Sequence, residues 1–397
     1  MRASKVRWSA GAWLAVLVAA VIAPYRAASA AEPASATKPA RLLVVTVTAG
    51  FRHSSIETGE VILEKLGRES GQFHVDFLRL PPGRPGRPAE PKRGDGTSDD
   101  EWKKQEAKFR ADLAAFEAAE AAWQKGIQEA FAKAFSRESL DRFDGVVFLS
   151  TTGALPIPDL DDFLAWVRSG KTFCGFHAAA DTFNASDAYR DLVGGIFAGH
   201  PWNAGDEHAF VVEEPGHGIV ASLPEAFRWK DEIYQYDTRF VPDDVRVLVS
   251  LDMPHCSPKE PWHVPVSWVR DFGRGRVFYS NFGHNDSTWN EPMFQQHYLA
   301  GILWALGRAE GPSEPNPDVQ ARAYLHAVLA AAAAAGSGGD AARATAEAER
   351  LCAKADARIA AEPGFASELR PLLLEARAAD AAGRGAIYAT VVGAVDR

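Results

Sequence analysis

The stretch Lys171-Thr172-Phe173-Cys174-Gly175-Phe176-His177-Ala178-Ala179-Ala180-Asp181 decides the fold. Residues 171–176 form an apolar run of strand length, and the chain then turns through small residues directly after a histidine. Working outward, residues 159–168 read as a helix and 144–150 as a second strand. Residues 41–48 form a β-branched, near-continuous apolar run closed by Ala49-Gly50, the pattern of a strand covered on both faces. A helix at 54–69 and an alternating strand at 74–80 follow it. Downstream, the runs 209–212, 246–251, 264–269 and 276–280 are shorter, and 292–306 is a closing helix. Strand and helix alternate, which specifies an α/β, doubly wound, flavodoxin-like and mainly parallel sheet.

Three segments stand outside that alternation. Arg2, Lys5 and Arg7 precede an apolar stretch and Ala28-Ser29-Ala30, the order of a cleaved signal peptide over 1–30, with a linker over 31–40. The expectation is a periplasmic or secreted protein with no membrane span after cleavage. Residues 82–140 read as an insert: a proline- and glycine-rich run, then a helix in which Trp102, Phe109, Phe116 and Trp123 recur every seven residues. A stripe at that spacing is a packing face. Residues 311–397 turn proline-rich and then alanine-rich, and read as a helical appendage without a chemical cluster.

Composition removes several classes of function. The 397 residues carry 52 acidic and 43 basic side chains, a net charge of −9, which argues against a nucleic-acid partner. Cys174, Cys256 and Cys352 form neither a C-x-x-C pair nor a disulfide lattice. No glycine-rich dinucleotide fingerprint and no phosphate-binding loop occurs, so neither NAD nor ATP is supported.

Ligands of open α/β sheets bind beyond the carboxyl ends of the strands. Those positions hold His53, Thr152, His177 and His284. His177 occupies the place of a nucleophile elbow, where histidine suits proton transfer, substrate binding or metal ligation. No H-E-x-x-H pair is present, yet imidazoles from separate segments leave room for a divalent metal, with Asp181, Asp231 or Glu232 as oxygen ligand or proton acceptor. Trp202, Trp229, Tyr234, Tyr236, Trp262 and Trp289 lie among His, Asp and Glu and offer aromatic faces to a sugar, whereas Trp166, Trp268 and Trp304 belong in regular core elements.

The segments Gly50-Phe51-Arg52-His53-Ser54-Ser55-Ile56, Ser150-Thr151-Thr152-Gly153, Gly175 through Thr182, Gly199-His200-Pro201, Asp231-Glu232-Ile233-Tyr234, and Gly273-Arg274-Gly275-Arg276 to Gly283-His284 resemble, in that order, the ThuA (trehalose-utilisation) family. The resemblance spans residues 41–307 and places the domain at 41–310. It implies a fold similar to class I glutamine amidotransferases, with histidine in place of their catalytic cysteine, and a role in sugar metabolism, often on 3-keto-glycosides. Carried onto this chain, it marks His53, His177, Asp181, His200, Asp231, Glu232 and His284. Ala180 departs from the threonine expected before Asp181, and the insert stands over the common core. The expected catalytic set is His177, His53, His284, Asp231 and Glu232, with Thr152, Asp181, His200, Tyr234 and Trp202 on the substrate side. A small carbohydrate is the expected ligand; the alternative is a non-catalytic carbohydrate-binding or scaffold module on the same fold. Substrate, metal and oligomeric state are not fixed by these residues.

Overall fold

The strand that precedes His177 lies near the middle of a nine-stranded mixed sheet. The computed structural model describes residues 38–238 and 244–397, so the expected signal peptide and most of the expected linker lie outside the described residues. In chain order the parallel half contains β1 (Ala40–Val45), α1 (Ile56–Ser70), β2 (Phe73–Leu78), α2 (Asp99–Ala134), α3 (Arg137–Leu140), β3 (Gly145–Leu149), α4 (Leu160–Arg168), β4 (Thr172–Phe176) and α5 (Asp187–Val193). There follow β5 (Glu207–Val212), β6 (Ala226–Lys230), β7 (Arg246–Leu251), β8 (Pro265–Phe272), β9 (Gly275–Ser280), α6 (Asp286–Asn290) and α7 (Pro292–Ala305). Four helices close the chain: α8 (Pro317–Gly336), α9 (Ala341–Ala361), α10 (Phe365–Ala378) and α11 (Ala381–Asp396).

Strand order is β2-β1-β3-β4-β9-β8-β7-β5-β6. From β2 to β9 every neighbour is parallel, and from β9 to β6 every pair is antiparallel. The mainly parallel, doubly wound expectation therefore holds for five strands and is corrected for the other four. The reason is local: β8 and β9 are joined by Gly273-Arg274 alone, whereas a parallel crossover needs about a dozen residues. Edge strand β6 escapes a sequence reading because its side chains are exposed or half-exposed and its pattern resembles a polar loop.

Both sheet faces are covered. Leu42 and Val44 of β1 pack into one apolar cluster with α1 and α7, while Leu43 and Val45 pack into the other with α2, α4 and α5. That two-sided burial is what a continuous apolar strand implies. Helix α2 starts on a capping box, in which Ser98 accepts from the Glu101 amide and the Glu101 carboxylate accepts from Ser98. It docks through Ile127 and Phe131 on the second cluster.

The C-terminal segment is four helices, and they pack against the sheet. Residues Pro39–Arg397 form one compact unit, and Leu325, Val328 and Leu329 of α8 are fully buried in the cluster that also holds Val249 and Leu251 of β7. Asn316 ties the helix start to the sheet: its amide oxygen accepts from Val247 N at 2.9 Å and its nitrogen donates to Val247 O at 2.8 Å. An alanine-rich stretch reads as an undirected helix from sequence because a small residue carries little amphipathic signal, yet it allows close helix packing.

His255 adds a charged tether. Its Nδ1 lies 2.7 Å from Asp252 Oδ2 and its Nε2 lies 2.9 Å from Glu349 Oε1 on α9, so both nitrogens donate only in the imidazolium form. Burial lowers its pKa, but the Glu349 hydrogen bond and the Asp252 charge outweigh burial and raise it above 6.5. The stabilisation is thus complete below about pH 6.5 and lost as pH rises through the folded value. The side chain is 35 % exposed, which limits the effect to under about 1 kcal/mol. Thermal melts of wild type and His255→Gln will differ at acidic pH and converge at alkaline pH; a constant gap would contradict the tether.

Candidate active site and metal centre

β4 ends at Phe176, and His177 opens a 3-10 turn, His177–Asp181, with φ of 46°. A left-handed backbone is uncommon for histidine and costs energy that the buried Ala178–Ala180 turn holds in place. The fully buried imidazole of His177 is then fixed by one contact: Nδ1–H donates to the carbonyl of Asn281, 2.9 Å away, just past the end of β9. That assignment leaves Nε2 as a bare lone pair directed away from the sheet.

Four groups surround that lone pair. His53 Nε2, from the loop after β1, lies 3.2 Å away, and His284 Nδ1, from the loop after β9, also lies 3.2 Å away. Glu232 Oε1, from the segment after β6, is 3.7 Å from His177 Nε2 and 3.3 Å from His284 Nδ1. The Tyr234 hydroxyl completes the shell at 3.4 Å. Ligand atoms of His53, His177, Glu232 and His284 all lie within 4.8 Å of one another.

These separations fit a cation. With metal–nitrogen bonds of about 2.1 Å, neighbouring ligand atoms stand roughly 3.0–3.4 Å apart in octahedral or tetrahedral geometry. Without one, His177 Nε2 accepts a proton from only one of two imidazoles equally close to it. A carbonyl holding the far nitrogen of a ligating histidine is the usual support of such a site. His53 Nδ1, by contrast, is buried with no hydrogen-bond partner among the described residues.

Electrostatics favour the same state. Burial, reinforced by the His284 charge, lowers His53 to about 4. Burial, together with His53 and His284, holds His177 well below 6.5. Both are neutral at pH 7, the form in which imidazole ligates. For His284, burial acts downward but the hydrogen bond and charge of Glu232 prevail and raise it. Burial pushes the Tyr234 phenol well above 10, so it remains a proton donor.

The supporting residues divide by position. His200 is the solvent-facing member, with 48 % of its side chain exposed and Nδ1 3.2 Å from Glu232 Oε2. Asp231 does not face the cluster: it is fully buried, and its carboxylate accepts from Gly283 N at 2.7 Å and Asn285 N at 2.9 Å, which fixes the backbone on both sides of His284. Thr152 braces the His53 loop, its hydroxyl donating to Phe51 O at 2.8 Å. Asp181 is outside the cluster and accepts from Asn184 Nδ2 at 2.7 Å.

Trp202 is corrected outright. It is fully buried, and its indole donates to Pro258 O, so no face is offered to a ligand. Trp289 is likewise buried, Tyr236 packs on Trp268, and Trp262 lies beneath Arg377 of α10. Trp229 donates to Thr288 Oγ1. Asn281 is the residue that sequence reasoning missed; its place three residues before His284, at a strand end, is the only signal for it.

Gly283 is required where it stands. Its φ is 124°, and a Cβ would meet the Trp289 indole at 3.0–3.1 Å. Gly283→Ala will lower stability by about 1–3 kcal/mol, because the new Cβ must displace the Trp289 indole or the backbone that leads into His284. A denaturant melt checks this, and a wild-type value would contradict it.

The geometry can now be set beside known proteins. The ThuA family model, described as trehalose utilisation, matches residues 97–305, more than half of the chain. The chain belongs to the ThuA family. The matched span contains α2, His177, Glu232 and His284, while His53 precedes it. Among solved structures, a putative ThuA-like protein from Bacteroides uniformis ATCC 8492 is 19 % identical, with 70 % of this chain and 95 % of that chain covered and a TM-score of 0.46. One from Parabacteroides merdae ATCC 43184 is 17 % identical, with 71 % and 99 % covered and a TM-score of 0.45. No curated protein matches the chain. Among the described residues, no helix is long and apolar enough to cross a membrane.

Proposed function

We propose that this ThuA-family chain is a metal-dependent enzyme that acts on a keto-sugar or glycoside, in the periplasm or outside the cell. The observation that carries the reading is the convergence of the His53 and His284 imidazole nitrogens and the Glu232 carboxylate on His177 Nε2, with the far nitrogen of His177 held on a carbonyl. His53, His177, His284 and Glu232 would hold a divalent ion, which when bound would supply Lewis-acid polarisation of a carbonyl or hydroxyl oxygen of the substrate. Asn281 and Asp231 keep His177 and His284 in place. The Tyr234 hydroxyl donates a hydrogen bond into the site. His200, exposed on one side and with Nδ1 3.2 Å from the Glu232 carboxylate on the other, passes protons between the site and solvent.

The test is incubation of the purified protein, loaded with zinc, manganese or iron(II), with 3-keto-trehalose, followed by mass spectrometry. Product formation that ceases on chelation is the expected result. Calorimetric sugar binding with no product after long incubation would replace catalysis with a binding module.

A further inference from the structure

A cavity of about 330 Å³ lies between the antiparallel half of the sheet and the C-terminal helices, walled by the end of β5, the segment 251–255 at the end of β7, α8 and α9. Glu213 lines it, a carboxyl that the proposed reaction does not use. We propose that this cavity binds a small organic cation, a primary ammonium group on an alkyl chain, with Glu213 as its counterion.

Val211 and Glu213 lie two residues apart, so both face the side of the sheet to which Ser250, the partner of Val211 on β7, also points. Glu213 N donates to Leu248 O at 2.9 Å, which carries the ladder one residue past β5. The Ser250 hydroxyl is hydrogen-bonded to Glu213 and lies 2.7 Å from His263 Nε2. Burial lowers His263 to about 3, so this imidazole is neutral, and its Nδ1 has no hydrogen-bond partner among the described residues. Nε2–H therefore donates to Ser250 and Ser250 donates to Glu213, which leaves a lone pair rather than an N–H unmatched on the ring. This chain of neutral donors gives Glu213 a hydrogen bond but no opposite charge.

The cations of the cavity are engaged elsewhere. Arg322 Nε lies 2.7 Å and His326 Nε2 lies 3.0 Å from Asp356 Oδ1. His255 is held by Asp252 and Glu349 at 2.7 and 2.9 Å, and Arg246 on β7 is held by Glu214 at 2.7 Å. Glu213 has no ion-pair partner among the described residues. Burial pushes it up to about 7 against the Ser250 hydrogen bond and the Arg322 charge, and Asp252 and Glu214 add to the rise. A buried carboxylate without a counter-charge is costly, and an entering ammonium group supplies that charge.

The other walls suit the rest of such a ligand. Val211, Leu251, Met253, Pro254 and Ala323 offer apolar surface to an alkyl chain, while the carboxyl sets its orientation. An anion would meet carboxyl groups whose cations are already taken.

Calorimetric titration of the full chain with n-hexylammonium chloride and with 1-hexanol, at pH 6 and pH 8, tests this in wild type and Glu213→Gln. The amine keeps its proton at both pH values. It is expected to bind wild type at pH 8 about tenfold or more tightly than the alcohol, and to weaken about tenfold or more at pH 6, where Glu213 is protonated. His255 carries its charge at pH 6 and acts in the same direction, so Glu213→Gln isolates the carboxyl: at pH 8 it is expected to lose about tenfold or more for the amine alone. Its thermal melt at pH 8 is expected at or above that of wild type, because the amide brings no charge to bury. No binding of the amine, equal affinity for amine and alcohol, wild-type affinity in Glu213→Gln, or a variant that melts well below wild type at pH 8 would overturn the proposal.

Discussion

His177→Ala will abolish stoichiometric binding of a divalent metal and lower turnover of a keto-glycoside by about 10²–10⁴-fold. The size follows from position. His177 Nε2 is the atom to which His53, His284, Glu232 and Tyr234 are all close, and it is the imidazole whose tautomer the fold fixes through Asn281. Alanine removes one ligand and leaves a buried hole between the others. Because His177 is fully buried, a folding defect can imitate a chemical one, so His284→Ala serves as the companion variant. His284 is a quarter exposed, and its loss will remove metal without opening a core cavity. Wild-type turnover in either variant, with folding confirmed by a thermal melt, would sink the catalytic assignment.

A chain ending at residue 310 will fail to fold as a soluble, cooperative unit. Full burial of Leu325, Val328 and Leu329 alone is worth about 5–9 kcal/mol at roughly 1.5–3 kcal/mol per side chain. That compares with the whole stability of an ordinary domain, about 5–15 kcal/mol. Deletion would also expose the β7 face and leave Val247 without the amide of Asn316. A single change reads the same contact more gently: Leu325→Ala should cost about 2–5 kcal/mol in a denaturant melt. A truncated chain that melts cooperatively at the wild-type temperature would contradict this dependence on the C-terminal helices.

The sequence was most legible where strands are buried on both faces. The runs at 41–48, 144–150 and 171–176 are apolar along their middles because α1 and α7 cover one side and α2, α4 and α5 the other. Their ends follow directly, and His53, His177 and His284 fall together because β1, β4 and β9 run parallel. The antiparallel half was harder to read, although the two-residue link between β8 and β9 already forbade a parallel crossover. Glu232 was within reach, but its pairing with the histidines depends on how β6 joins the far edge of the sheet, a long-range choice with no local signature. Asp231 and Glu232 are adjacent and chemically alike, and only the fold separates them: one clamps the His284 backbone and the other faces the imidazoles. Trp202 misled for a similar reason, since an aromatic beside polar residues reads alike at a ligand site and in a core.

The most direct measurement is an anomalous-difference map from a crystal of the full protein grown with zinc or manganese. The account predicts one strong peak between His53, His177, His284 and Glu232, with their ligand atoms drawn in from separations of up to 4.8 Å to about 2.0–2.2 Å from the ion. A folded crystal with saturating metal and no peak among these four side chains would contradict it.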